Sequence, residues 1–480
     1  MITTALTRIA EVVGGVAYDA EGVEVTAPAT LDSRLVEPGG LFVAVRGEHV
    51  DGHDFAPAAY AADAAAVLGE RRVEGPCVVV DDIEAALARL AREVRDRLEG
   101  CVVVGITGSQ GKTSVKDLLA QVLAAQGPTV ATAGNYNNEL GVPLTVLRAT
   151  PGTRYLVVEM GARAVGNIAA LCAIARPDIG VVLNVGTAHV GEFGSVEAIA
   201  VTKGELVESL PTQGVAVLNA DDAVVAAMRT RTAATVRTFG TSAEADVQAD
   251  DVRIDDDGEP RFVLRADGLA APVHLHLLGA HQASNAAAAT AAALAAGLPL
   301  ETVALALSEA TTRSGWRMER TVRDDGLVVV NDAYNANPES VDAALRAVVA
   351  MGRGRRVVAV LGEMLELGGA AHDAHASVGS LAADLGVTQV VAVGDGARAV
   401  HESATAAGAA SVLVDDLDGA LAWLRGYLRA DDIVLVKASR ASGLEQLAAA
   451  LLADPDPQER VADAESTSGA ARDDEGNDAR

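Results

Sequence analysis

Along this chain, short apolar runs of four to six residues recur between longer stretches whose apolar positions fall three and four apart. That alternation predicts buried parallel strands joined by helices. In the first hundred residues, Leu41 to Val45 and Cys77 to Val80 read as strands and Ile83 to Leu98 as a helix, which makes a small α/β unit. From Val102 the pattern repeats on a larger scale, with strand-like runs at Tyr155 to Val158 and Ile179 to Val182, and a doubly wound sheet is expected. Between about 236 and 278 the periods shorten and turns multiply, as at Asp255-Asp-Asp-Gly258, which predicts an antiparallel insertion or extension. The alanine-rich tract from Ala283 to Ala296 reads as a buried or half-buried helix. Leu327 to Val330, Arg356 to Leu361, Val390 to Val393 and Ile433 to Val436 are again strand-like, each followed by glycine, polar residues and a helix, so a second open, Rossmann-like α/β domain follows. After Leu452 large apolar residues almost vanish, and residues 454–480 are expected to be a disordered acidic tail.

Length and charge narrow the picture. A chain of 480 residues is too long for one core and suggests about three domains. A net charge of −28 argues against a general nucleic-acid or bilayer-surface binder, which needs a basic face. Any anionic substrate must be held by a local concentration of Lys, Arg and backbone N–H groups. Met1 to Val13 lacks a basic leader followed by an apolar core, and Cys77, Cys101 and Cys172 are widely spaced in apolar sequence, as reduced core thiols are. A soluble cytoplasmic protein is the simplest expectation.

The candidate chemistry begins at Gly105-Ile-Thr-Gly-Ser-Gln-Gly-Lys-Thr-Ser114, between the apolar run ending at Val104 and an amphipathic stretch from Val115 to Leu123. Strand, phosphate loop and helix is the natural reading: Gly108, Ser109, Gln110, Gly111, Lys112, Thr113 and Ser114 would wrap phosphate oxygens. Lys112 supplies the point charge, and the Thr113 hydroxyl suits Mg²⁺. The spacing departs from the general G-x-x-x-x-G-K-[ST] pattern, since Ile106 stands where the first glycine belongs, and a glycine-rich turn without phosphate is the plain alternative. Asn135-Tyr-Asn-Asn-Glu-Leu-Gly-Val-Pro143 is a polar run where a strand should end and a ligand bind, or else a decorated loop. Glu159 ends an apolar run, as a cap does or, beside a phosphate loop, a Mg²⁺ ligand. His189 follows another strand end; taken singly it reads as a structural histidine, and Lys203 as a surface lysine.

Together these segments resemble the Mur ligase family over residues 1–453. The resemblance rests on Leu31-Asp-Ser-Arg34 with Gly40 to Val45, the loop ending Gly111-Lys-Thr-Ser114, Asn137 to Pro143, Asn331-Asp-Ala-Tyr-Asn-Ala-Asn-Pro338, and Gly362-Glu-Met-Leu-Glu-Leu-Gly368. The first segment is shared with the ligase that adds the third stem residue, whereas the last three point to the member that joins D-Ala-D-Ala to UDP-N-acetylmuramoyl-tripeptide.

The resemblance implies a cytoplasmic, monomeric ligase that uses ATP and two Mg²⁺ ions and passes through an acyl phosphate. It assigns residues 1–100 to the UDP-sugar peptide, 101–313 to ATP and metals, and 314–453 to the dipeptide and an ATP clamp. Thr113 and Glu159 would hold one Mg²⁺, His189 and an N-carbamylated Lys203 the second. Lys112, Lys203 and His189 would be the catalytic set. Asn285 would contact adenine, Arg317 the phosphates and Asp332 the ribose. Ser33, Arg34, Asn137, Asn138, Tyr334, Asn335 and Asn337 would meet the substrates. His281, four residues before Asn285, is as readily a helix cap. His375 is favoured over His372 as the family's histidine, and Ala438 replaces a glycine in Lys437-Ala-Ser-Arg440. A ligase adding the third stem residue is the nearest rival, folylpolyglutamate synthase is more distant because it has no place for the Asp32-Ser-Arg34 domain, and a regulatory nucleotide-binding switch is a rival from a different class.

Overall fold

The computed structural model describes residues 1–47, 49–186, 190–352 and 354–453, and it is built around three main sheets. His189 and the expected acidic tail lie outside the described residues. The first sheet pairs Ala29–Thr30, Leu41–Ala44, Ala66–Gly69 and Cys77–Val79 in parallel, with Val16–Tyr18 antiparallel at its edge. Its helix Ile83–Asp96 is capped by Asp82, whose carboxylate accepts from the Ala85 N–H at 3.0 Å.

That helix also fastens the first unit to the second. Helix Asn167–Ala175 ends with its carbonyls pointing at the helix Ile83–Asp96, where Arg92 donates to the Ala173 carbonyl and Arg95 to those of Ala175 (3.0 Å) and Arg176 (3.2 Å). Two cations therefore satisfy orphan carbonyls at the negative end of a helix dipole. One apolar cluster runs through both units, from Leu87 and Leu90 to Val146, Leu171 and Val182.

Nine strands make the second sheet. Val102–Thr107 lies between Tyr155–Glu159 and Ile179–Val182, and all three are parallel and almost wholly apolar, as strands covered on both faces must be. The expected antiparallel segment is present, but as part of this same sheet. Val247–Ile254 pairs in parallel with Thr235–Gly240 and then antiparallel with Pro260–Ala266, which pairs with Leu269–His274. Helix His281–Ala295 is buried nearly all round, and its alanines let it lie close against helix Lys112–Ala124 under the sheet.

The third sheet has six strands, parallel except for the edge strand Glu319–Val322. Its centre runs Val328–Asn331, Ile433–Lys437, Val357–Leu361. The loops leaving these three neighbours are the segments 332–338, 438–440 and 362–368, so the topology gathers three separate motifs at one carboxyl edge. Cys77, Cys101 and Cys172 are free and buried, as expected. No helix among the described residues is long and apolar enough to cross a membrane.

Candidate active site

Three adjacent strands of the nine-stranded sheet end at the phosphate loop. Gly111 opens helix Lys112–Ala124 with φ of 77°, a left-handed conformation that a side chain would strain, and an added Cβ would lie 2.7 Å from Asn285 Oδ1. Gly108 is equally confined, since its Cβ would fall 2.8 Å from that of Leu183. The glycines at 108 and 111 thus answer to close neighbours as well as to a ligand.

Asn184, which sequence reasoning left out, ties this loop to the next strand. Its side-chain oxygen accepts from the Gln110 N–H (2.8 Å) and its carbonyl from the Ser109 N–H (3.1 Å), while Ser109 Oγ accepts from Gly186 N (2.9 Å). Its polar side chain between apolar Leu183 and Val185, just past a strand, was the available signal. Lys112 folds back onto the loop, with Nζ 2.7 Å from the Gly108 carbonyl and 3.3 Å from that of Ser109. Burial in the loop lowers its pKa, with Glu159 opposing and Arg317 adding to the fall. Thr113 is buried in the first turn of the helix, and Ser114 is half-buried beside it.

Glu159 is 1% exposed. Its Oε1 accepts from Asn137 Nδ2 at 2.8 Å, but Oε2 is buried and has no hydrogen bond among the described residues. A carboxylate oxygen in that position is costly unless a cation or donor meets it, so the residue suits a hard divalent ion such as Mg²⁺. Lys203, on helix Val196–Glu208, is 5% exposed. It is no surface lysine: burial, assisted by the charge of Lys112, drives its pKa well below the usual lysine range.

The C-terminal sheet supplies the opposite wall. Asp332 accepts from the Met318 N–H at 3.0 Å and from Lys437 Nζ at 2.6 Å, and Lys437 also donates to the Asn335 carbonyl at 2.9 Å. Arg317 stacks over the Tyr334 ring at 4.1 Å, and Arg440 lies 4.4 Å over Trp316 and 5.5 Å over Tyr334. Burial raises the Tyr334 pKa, so its hydroxyl remains a donor. Trp316 and the stacking role of Arg440 carried no recognisable pattern in the sequence. The two walls meet: a Cβ on Gly186 would lie 3.2 Å from Glu339 Oε1 and 3.6 Å from the Ser109 Cβ.

Other candidates have local duties. Asn337 Oδ1 accepts from the Ser340 N–H at 2.9 Å and so caps helix Pro338–Gly352. Asn138 Oδ1 likewise accepts from Gly141 N at 3.0 Å, at the head of helix Gly141–Leu147. His375 is 3% exposed and accepts from the Met364 N–H at 2.8 Å, pinning the 362–368 loop, and Ser439 Oγ holds the same loop through the Leu365 N–H at 2.9 Å. Ala438 is accommodated, its Cβ lying 2.7 Å from where one on Gly362 would stand. His281 starts helix His281–Ala295 with its side chain exposed. In the first unit, Ser33 is half-buried and Arg34 is exposed, forked onto Asp32 at 2.9 and 2.6 Å, which holds the Asp32 carboxyl at about 2.

Comparison with known proteins agrees with this layout. The family model "Mur ligase family, catalytic domain" matches residues 29–96, "Mur ligase middle domain" matches 106–293, and "Mur ligase, glutamate ligase domain" matches 316–440. A Mycobacterium tuberculosis protein named UDP-N-acetylmuramoyl-tripeptide--D-alanyl-D-alanine ligase is 47% identical, covering 95% of this chain and 98% of its own. The Escherichia coli protein of that name is 34% identical over 94% and 99% of the two chains. Among solved structures, MurF from Acinetobacter baumannii superposes with a TM-score of 0.84 at 30% identity, covering 94% of this chain and 99% of that one. MurF ligase from Thermotoga maritima, solved in complex with ADP, gives 0.74 at 30% identity over 88% and 96%. The chain belongs to the Mur ligase family.

Proposed function

We propose that this protein is an ATP-dependent amide ligase that joins D-alanyl-D-alanine to UDP-N-acetylmuramoyl-tripeptide, releasing ADP and phosphate in cytoplasmic peptidoglycan precursor synthesis. The observation that carries the reading is the buried Glu159 carboxylate, with one oxygen unmatched, acting electrostatically on Lys112 of the phosphate loop. The names of the relatives at 47% and 34% identity support the choice of substrates, and the ADP-bound neighbour supports the nucleotide.

A carboxylate is a poor electrophile, so the substrate carboxylate first attacks the γ-phosphorus of ATP and ADP departs. The amine of the dipeptide then attacks the acyl carbon and phosphate departs, leaving the amide. Mg²⁺ ions, held by Thr113 and Glu159 and by Lys203 with His189, would offset the repulsion between carboxylate and γ-phosphate. The loop N–H groups of residues 108 to 114 and Lys112 bind phosphate oxygens, for which Lys112 must leave its own loop carbonyls. Lys203, being buried and inclined to lose its proton, has the free amine that carbamylation requires, and the resulting anion would attract a cation.

The opposite wall would position ATP and the dipeptide. Arg317 faces the phosphates, Asp332 the ribose and Asn285 the adenine, with Tyr334, Asn335 and the amide of Asn337 at the dipeptide. Ser33 and Arg34 would receive the UDP-sugar peptide, with Asn137 and Asn138 toward its reacting end. On this reading residues 1–100, 101–313 and 314–453 divide the work, and a single chain suffices.

Assay of ADP release with the tripeptide nucleotide, with and without D-Ala-D-Ala, tests the proposal. The dipeptide should accelerate release and appear in a pentapeptide product; turnover indifferent to it would make the protein a nucleotide switch instead. Lys203→Ala should be inactive and recover with a short-chain carboxylate, and full activity in that variant would remove the carbamate from the mechanism.

A further inference from the structure

The three antiparallel strands that extend the nine-stranded sheet have no part in the ATP site, yet they carry a second convergence of ligand-type side chains. His274 ends strand Leu269–His274 and His276 follows two residues later, and the two rings lie against each other with centroids 4.4 Å apart. The Leu275 N–H donates to the Pro260 carbonyl at 3.0 Å and keeps the chain extended between them. Glu259, at the start of the neighbouring strand, points its Oε2 at both: 2.8 Å to His276 Nδ1 and 3.2 Å to His274 Nε2.

The turn that delivers Glu259 is rigid. The Asp255 N–H donates to the Glu259 carbonyl at 3.0 Å, Asp255 Oδ1 accepts from the N–H groups of Asp257 (3.1 Å) and Glu259 (3.0 Å), and Gly258 takes φ of 82°. Arg261 lies 3.2 Å from Asp255 Oδ2 and takes up that carboxylate's charge, so Asp255 serves the turn. Glu259 and the two imidazoles remain. His274 Nε2 is the informative atom. It is buried and, although Asp255 Oδ2 and Glu259 Oε2 lie 3.1 and 3.2 Å away, its geometry permits no hydrogen bond to either among the described residues. A ring nitrogen held among carboxylate oxygens without a directed hydrogen bond is what a cation between them would resolve.

We propose that Glu259, His274 and His276 form a metal site for a borderline divalent cation of the Zn²⁺ type, separate from the Mg²⁺ chemistry of the ATP site. The three donor atoms lie within 4.8 Å of one another. Bonds of roughly 2.0–2.1 Å in a tetrahedron put ligand atoms about 3.4 Å apart, so the Glu259 oxygen, now 2.8 and 3.2 Å from the two ring nitrogens, need draw back by only about half an ångström. Two imidazoles with one carboxylate favour zinc over magnesium, and water completes the fourth position. The turn also reaches the third sheet, since Arg320 of strand Glu319–Val322 donates to Asp257 Oδ1 at 2.7 Å and to its carbonyl at 3.1 Å. A bound ion would therefore stiffen a joint between the central and C-terminal units.

The test uses the full chain carrying Glu159→Gln, so that the ATP site does not compete, stripped with EDTA and titrated with Zn²⁺ and then Co²⁺. One Zn²⁺ should bind, and Co²⁺ should give the intense visible bands of four- or five-coordination. His276→Gln, at a ring that is 45% exposed, should keep the melting temperature measured in EDTA and weaken Zn²⁺ binding about tenfold or more. His274→Ala with His276→Ala should abolish both the binding and the bands. Zn²⁺ binding of equal affinity in parent and His276→Gln, or the absence of the Co²⁺ bands from the parent, would overturn the proposal.

Discussion

The two walls of the active-site cleft are built on opposite electrostatic plans. On the phosphate-loop side charges are buried without complete compensation: Glu159 has an unmatched oxygen, and Lys203 and Lys112 both have depressed pKa values. On the C-terminal side four charges that face the cleft have partners. Asp332 is bonded through both oxygens, Lys437 is 2% exposed on Asp332 and the Asn335 carbonyl, and Arg317 and Arg440 rest on aromatic rings. The first wall carries, at a cost in stability, the uncompensated charges on which the proposed phosphate and metal contacts depend; the second is a finished surface that would need only to be brought up to the proposed ligands. Function and stability should accordingly separate between them under mutation.

The largest effect that would sharpen this contrast is expected from Glu159→Gln. It keeps the bond to Asn137 or its equivalent but removes the anionic charge, so kcat should fall about 10³-fold while the melting temperature holds or rises. A substantial loss of melting temperature would show Glu159 to be a structural member and erase the difference between the walls. Lys437→Met is the converse experiment. It leaves Asp332, whose side chain is 13% exposed, without its cation, and should destabilise the C-terminal unit by about 3–5 kcal/mol. Both tryptophans, Trp316 and Trp423, lie in that unit, so fluorescence during urea unfolding reports it directly. A cost below about 1 kcal/mol would mean that the pair is not the keystone the distances imply.

The smallest effect is a slope. The folded chain holds Lys203 deprotonated at pH values where the unfolded chain protonates it. Across that window the unfolded state binds more protons, so stability rises with pH until the ordinary lysine value near 10.5 is reached. Lys203→Met should flatten this rise when unfolding midpoints are compared between pH 7 and 10, under CO₂-free conditions that exclude the carbamate. An unchanged slope would move the burden to Lys112 or elsewhere.

Most of the sheet strands announced themselves because they are buried on both faces, and Ile179 to Val182 matches the observed strand at both ends. Helix Ile83–Asp96 stops two residues short of the expected Leu98, which is itself buried: the chain closes with tighter bonds, from the Arg97 N–H to the Val94 carbonyl and from the Leu98 N–H to that of Arg95. Whether the turn-rich segment is an insertion or an extension of the central sheet was left open by the sequence, since a partner across an edge leaves no local periodicity, and the structure makes it an extension. The site divides the same way. The phosphate loop and Glu159 sit at strand ends that pattern alone locates. Asn184, the ring stack of Arg440 on Trp316, and the capping duties of Asn138 and Asn337 depend on what lies opposite, which spacing along one chain does not encode.

Arg92 and Arg95, clasping the last carbonyls of helix Asn167–Ala175, have a bearing on the order of events during turnover. Separating the first unit from the second would strip three carbonyls of their donors at once and leave Arg95 without its partners, though Arg92 would keep Asp96 on its own helix. These bonds and the shared apolar cluster tie the surface proposed for the UDP-sugar peptide to the surface proposed for ATP, so that closure over the ligands falls to the C-terminal unit.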